Sequence, residues 1–171
     1  MVSKFLPKKR HVVNRINAGR YLKTLAELET PQDQFYYLRG LNAFVFEEMI
    51  LTALKKHGFK IIRNKRYTGD GGIDGRAYKN DQHYLIQAKR YRKHINPAHV
   101  TEFAEICQRR KGKGLFVHTG RTGAMSREIT RGVDIEMISG ERLLKLLLDA
   151  QPKQTFSIQT LANSIFGKTG E

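Results

Sequence analysis

Two short segments hold residues whose types and spacing could do chemistry. The first, GDGGIDG at residues 69–75, sets the carboxylates of Asp70 and Asp74 among glycines, which let a backbone turn sharply and approach another group closely. The second, HYLIQAKRY at residues 83–91, reads as a strand. Alternation there puts Gln87 and Lys89 on one face and Tyr84, Ile86 and Ala88 on the other. Asp74 opens the neighbouring hairpin strand, so antiparallel pairing can gather Asp74, Gln87 and Lys89 into one cluster. A carboxylate, an amide oxygen and an ammonium group together suit a hard cation beside a phosphate.

Other readings of the glycine-rich segment are open. Asp70, Asp74, Gly75 and Asp81 fall at the spacings of a helix-loop-helix calcium site. Gly72 occupies its third position, however, and strand-like sequence flanks a loop that needs helices. Alone, the segment could equally be a hairpin turn with solvated aspartates.

A third acid comes from the helix expected after Gly40. Phe46, Met49, Ile50, Ala53, Leu54 and His57 recur at helical spacing, and Gly58 is placed to cap the helix. Glu47 has Ala43, Phe44, Ile50, Leu51 and Leu54 as helical neighbours, so its carboxylate is expected to point inward and to need a partner. Glu48 shares its side with Thr52, Lys55 and Lys56 and is expected to be solvated.

The elements that must position these groups alternate in type. Residues 1–15 are basic and poorly patterned, as in a mobile arm. Tyr21, Leu22, Leu25 and Leu28 follow at helical spacing, and Thr30-Pro31 starts a second helix. Beyond the strong helix come a strand at Lys60–Arg63 and a hairpin of residues 73–79 and 83–91 around Asn80-Asp81. Asn96-Pro97 opens a helix with Val100, Phe103, Ala104 and Cys107 on one face. A buried strand at 115–117, a short helix at 125–131, a strand at 133–138 and a Leu-rich helix at 143–148 complete the core. Residues 152–171 have room for one small helix. The order predicts an α/β fold, with helices on both faces of a central mixed sheet. Residues 1–39 form a basic arm and helical appendage, 40–150 the core and 151–171 a tail.

Charge points to the partner. Across 171 residues, 31 Lys+Arg against 16 Asp+Glu leave a net charge of +15, a field that attracts polyanions. With Cys107 as the single cysteine, an internal disulfide is excluded. No apolar run approaches the ~20 residues of a membrane span, and the expected setting is the cytoplasm, near the nucleoid.

In order, Phe46-Glu47, HGF at 57–59, GDGGIDG, QAKRY at 87–91 and GLFVHTG at 114–120 resemble the Mrr-like restriction endonucleases of the PD-(D/E)xK nuclease superfamily. The resemblance spans about residues 40–150. It implies an α/β/α restriction-endonuclease-like core and metal-dependent cleavage of DNA phosphodiesters. Matched by position, Asp74 is the acidic metal ligand, Gln87 takes the place of the second carboxylate, Lys89 is the motif lysine and Glu47 the helix acid. The implied cofactor is Mg²⁺, with Mn²⁺ as a substitute. Its ligands would be Asp74, Gln87, the Ala88 carbonyl and Glu47, the last directly or through water. Gln87 departs from the Asp or Glu of the wider superfamily and matches the Mrr branch.

The expected substrate is DNA rather than a small molecule, held by Lys8, Lys9, Arg10, Arg90, Arg92, Lys93 and Arg121. Cutting both strands together would call for a homodimer. Two rivals stand beside this expectation: a structure-selective nuclease of the junction-resolvase kind, and a non-catalytic DNA-binding module with the same fold. His118 and Thr119, at the end of a buried strand, are weaker candidates for the site. Cys107 is expected in the core, and Tyr91 and Tyr67 at the rim.

Overall fold

Hydrophobic period decides which elements form, and side-chain caps decide where three of the helices start. The computed structural model describes residues 6–64 and 71–150, with side chains from Val12 onward. In chain order the elements are α1 (Leu6–Glu27), α2 (Pro31–Gly40), α3 (Ala43–Lys56), β1 (Lys60–Arg63), β2 (Gly75–Lys79) and β3 (Gln82–Lys89). They continue with α4 (Pro97–Arg110), β4 (Lys113–His118), α5 (Ala124–Arg131), β5 (Ile135–Ile138) and α6 (Gly140–Leu148).

The caps are local chemistry. Thr30 Oγ1 accepts from the Asp33 amide to start α2, Asn42 Oδ1 from the Phe44 amide to start α3, and Asn96 Oδ1 from the Ala98 amide to start α4. Pro31 and Pro97 stand in first turns, where a missing N–H costs nothing. Asn80 and Asp81 both adopt positive φ, the backbone that a tight two-residue hairpin between β2 and β3 requires.

The strands form one sheet in the order β1-β2-β3-β4-β5. The β1–β2 and β2–β3 pairs are antiparallel, and the β3–β4 and β4–β5 pairs are parallel. Directions alternate so that the ends of β1, β3, β4 and β5 and the start of β2 share one edge.

Each face has its own core. On one, Leu22, Leu25, Leu38, Phe46, Ile50, Leu143 and Leu147 of the helices pack with Ala77, Ile86, Leu115 and Val117 of the sheet. On the other, Val100, Phe103, Ile106 and Cys107 of α4 meet Leu85 and Phe116. The mixed sheet between two helical layers is the α/β/α arrangement expected, and Cys107 is a core residue. Burial raises its thiol to about 11.

One expectation at the N-terminus is corrected. Residues 6–15 are not an unpatterned arm but the first half of α1, continuous with a second half whose Ala18, Leu22 and Leu25 are fully buried. Once that second half docks on α3, extending the helix toward the N-terminus adds one hydrogen bond per residue fixed. The small helix expected after residue 152, together with Asp70 and Tyr67, lies outside the described residues.

Candidate active site

The shared sheet edge collects the acids. Asp74 stands just before β2, and its amide donates to the Ile86 carbonyl at 2.8 Å. Its carboxylate turns toward β3 and accepts from the Ala88 amide at 2.6 Å, in the position a next residue of β2 would have used. N–H and C=O of one strand residue point to the same side, so the Ala88 carbonyl also faces Asp74, past the end of β2.

Gln87 projects from the other face of β3 and is 8% exposed. Its Nε2 donates to the Gly72 carbonyl at 2.7 Å. That carbonyl is presented by a glycine at φ +80°, where an added Cβ would come within 2.7 Å of Ile106 Cδ1. The backbone angle is what calls for glycine, since Cδ1 is the movable end of the Ile106 side chain. With its amide nitrogen held, Gln87 directs Oε1 elsewhere, and this buried oxygen has no hydrogen-bond partner among the described residues.

Glu47 completes the group from the first half of α3. Desolvation, followed by the charges of Asp74 and Glu48, raises its carboxyl to about 8, against the opposing pull of Lys89 and Arg90. Desolvation also raises Asp74, to about 6, although the Ala88 amide and Lys89 favour its ionised form. Two acids that resist ionisation side by side, with one ammonium nearby, form a site short of positive charge.

A divalent cation fits that deficit. Two carboxylates, an amide oxygen without a partner among the described residues and a backbone carbonyl are hard oxygen donors of the kind Mg²⁺ takes. Among the described residues no cluster of three or more His, Cys, Asp or Glu side chains could hold a metal. A ligand set here would therefore depend on the oxygens of Gln87 and Ala88.

The family model for the Mrr catalytic domain, described as restriction endonuclease, matches residues 38–147, more than half of the chain. The chain belongs to the Mrr family of restriction endonucleases. No curated protein matches. Among solved structures, a protein of unknown function, AF1548, is similar at 14% identity with a TM-score of 0.49, over 71% of this chain and 76% of that one. The Mrr match makes the chain a nuclease of the restriction-endonuclease-like type, and the acids described above lie within its span.

Three expectations about side chains at this Mrr core change. Glu48 is not solvated. It is 2% exposed and its Oε2 accepts from Arg63 Nε at 2.7 Å. Glu47 is partly buried rather than enclosed among its apolar neighbours, although desolvation still raises its carboxyl. Arg90 does not face outward. Its Nη1 donates to the carbonyls of Arg39 and Leu41, closing the end of α2 and the link to α3.

Arg92, Lys93 and Arg121 are exposed at the same edge as the acids, tied together by the Arg121 amide donating to the Lys93 carbonyl at 2.9 Å. Lys8, Lys9 and Arg10 belong to the backbone of α1, and their side chains lie outside those described.

His118 ends β4 opposite Lys89 but is fully buried. Desolvation lowers it to about 4, so it is neutral at ordinary pH, and its Nε2 is 3.2 Å from Thr122 Oγ1. Thr119 serves the frame: its Oγ1 accepts from the Tyr91 amide and donates to the Tyr91 carbonyl, both at 2.9 Å. Its own carbonyl accepts from Arg39 Nη2. Tyr91 Oη is 2.6 Å from His99 Nδ1, and burial lifts its phenol to about 12. Arg39 and Arg63 are the residues that sequence reasoning missed. Each acts through a partner many positions away, which spacing cannot reveal.

Proposed function

We propose that the protein is a divalent-metal-dependent DNA endonuclease, acting in restriction or defence, with Mg²⁺ the resident ion and Mn²⁺ a working substitute. The observation that carries this reading is the pair of neighbouring carboxylates, Asp74 and Glu47, that burial holds above their ordinary pKa values, and the buried Gln87 Oε1, without a hydrogen-bond partner among the described residues, adds to it. Asp74, Gln87 Oε1 and the Ala88 carbonyl would hold the ion, with Glu47 joining directly or through water.

When bound, the ion supplies Lewis-acid polarisation of a phosphate oxygen and a lowered pKa for the attacking water. Glu47 orients that water by accepting its hydrogen bond and takes its proton as oxygen attacks phosphorus. The phosphorus–oxygen bond to the leaving strand end breaks, and solvent protonates the leaving oxygen. Lys89 Nζ balances the charge that grows on the phosphate oxygens. The Ala88 amide holds Asp74 in one rotamer, so its carboxylate needs no reorganisation when the ion enters. The homodimer is part of this proposal, because one site cuts one strand.

The test is nicking of supercoiled plasmid with Mg²⁺, with Mn²⁺ and with chelator. Wild type should nick with either ion and stop with chelator. Asp74→Ala should lose at least two orders of magnitude in rate while binding DNA as tightly or more tightly, since a carboxylate facing phosphate repels it. Cleavage that persists in chelator would overturn the metal assignment. A preference for branched over linear duplex would replace restriction with structure-selective cutting.

A further inference from the structure

A second charged surface begins where β1 ends. Arg63 closes that strand and pairs in register with Gly75, the residue after Asp74. It forms one wall of a groove of about 390 Å³ whose other lining residues are Val12, Arg15 and Ile16 of α1 and Thr52 and Lys55 of α3. Arg15 and Lys55 are exposed, and among the described residues neither has an ion-pair partner. The acid paired with this lining is Glu48, which is held by Arg63. Three cations against one anion leave the groove positive. Thr52 Oγ1 adds a hydroxyl, already within 3.4 Å of Arg63 Nη2. Val12 and Ile16, 53% and 61% exposed, supply the apolar surface that a deoxyribose can cover.

Position gives the groove its meaning. Lys55 follows Glu47 by eight residues on α3, about 12 Å along the axis. On the opposite side, Arg92, Lys93 and Arg121 extend from the ends of β3 and β4. β1 and β4 are three strand spacings apart, about 14 Å. The acids lie between the two sets of cations. A polyanion crossing them would meet positive charge on both sides.

We propose that the groove between α1, α3 and the end of β1 is a phosphodiester-backbone subsite. DNA would run across the acids from Arg92, Lys93 and Arg121 to Arg63, Arg15 and Lys55. This rests on the endonuclease reading and adds the path of the substrate. Contacts of this kind are blind to sequence, so the groove supplies affinity and alignment but no recognition.

The test uses the full chain in an Asp74→Ala background, with fluorescence anisotropy of a labelled duplex in chelator from low to moderate salt. Arg15→Gln with Lys55→Gln should shallow the log-affinity against log-salt slope by about 1.8, at about 0.9 per lost phosphate contact. Affinity near 0.1 M salt should fall on the order of tens-fold, equally for unrelated sequences. Arg109→Gln with Lys111→Gln removes the same charge from the end of α4, on the opposite face of the sheet from α1 and α3, and should change the slope by less than half as much. A slope no shallower than that control overturns the subsite. So does an unchanged slope with an altered sedimentation coefficient, which would assign the groove to contact between copies of the chain. The endonuclease reading fails separately, if wild type does not nick plasmid while these binding curves keep their salt dependence.

Discussion

At the residue scale, the raised pKa values of Glu47 and Asp74 couple the site to pH. Between the ordinary carboxyl range and about 8, the native state binds more protons than the unfolded chain. Stability of the metal-free protein should therefore fall as pH rises through that window. Divalent cation should reverse the trend, because it binds the ionised form that burial disfavours. Melting temperature measured from pH 5 to 8.5, with chelator and then with Mg²⁺, checks both signs. Glu47→Gln with Asp74→Asn should flatten the chelator curve, and an unchanged slope would deny these acids their coupling. The two neighbouring glutamates should divide cleanly. Glu47→Gln should abolish nicking with little loss of stability. Glu48→Gln should instead cost about 1–3 kcal/mol in denaturant titration, since it weakens a buried charged hydrogen bond to Arg63. Sequence placed Asp74 at the start of the strand that pairs with the strand of Gln87 and Lys89 because alternation and hairpin pairing are local rules. It misassigned Glu48 because the deciding partner, Arg63, arrives from the next element.

At the scale of elements, the same distinction between local and distant holds. Caps at Thr30, Asn96 and Gly58 and the turn at Asn80-Asp81 could be read directly, since each is a short-range hydrogen bond or a backbone angle. What sequence could not show is how the α2–α3 link is held against the sheet edge. Arg90 donates to two of its carbonyls, and Arg39 ties the end of α2 to Thr119 after β4. The link leads into α3, which carries Glu47, so Arg90 sets where that acid stands. Arg90→Ala should leave the two carbonyls without their donor and lower stability by roughly 1.5–3 kcal/mol. Arg90→Lys should recover only part of that loss, because a single ammonium cannot reproduce the planar fork of donors. Plasmid nicking should drop for both variants while the salt slope of DNA binding stays at the wild-type value. A slope shallower by about 0.9 would instead return Arg90 to the DNA surface.

At the scale of the whole molecule, the open question is where the folding unit begins. Sequence pattern suggested an arm and an appendage before residue 40, because charge dominates the first fifteen residues and hides helical periodicity. The structure sets Ala18, Leu22 and Leu25 of α1 in the same core as Met49 and Ile50 of α3 and Leu143 and Leu147 of α6. These side chains are fully buried, so removing α1 would expose the apolar face of α3 to water. Two truncations should therefore behave differently. Deleting residues 1–13 shortens α1 ahead of its buried positions and should move the melting temperature by no more than a few degrees. It removes Lys4, Lys8, Lys9 and Arg10, so the salt dependence of DNA binding should weaken if those cations touch phosphate. Deleting residues 1–28 also removes three fully buried core side chains. Loss of even one buried Leu typically costs about 2–5 kcal/mol, comparable with much of a domain's stability. That chain should lose its cooperative transition or fail to accumulate as folded protein, and Leu22→Ala alone should reproduce part of the loss. If the longer deletion melted as cooperatively as the full chain, α1 would be an appendage after all, and residues 40–150 a domain that stands without it.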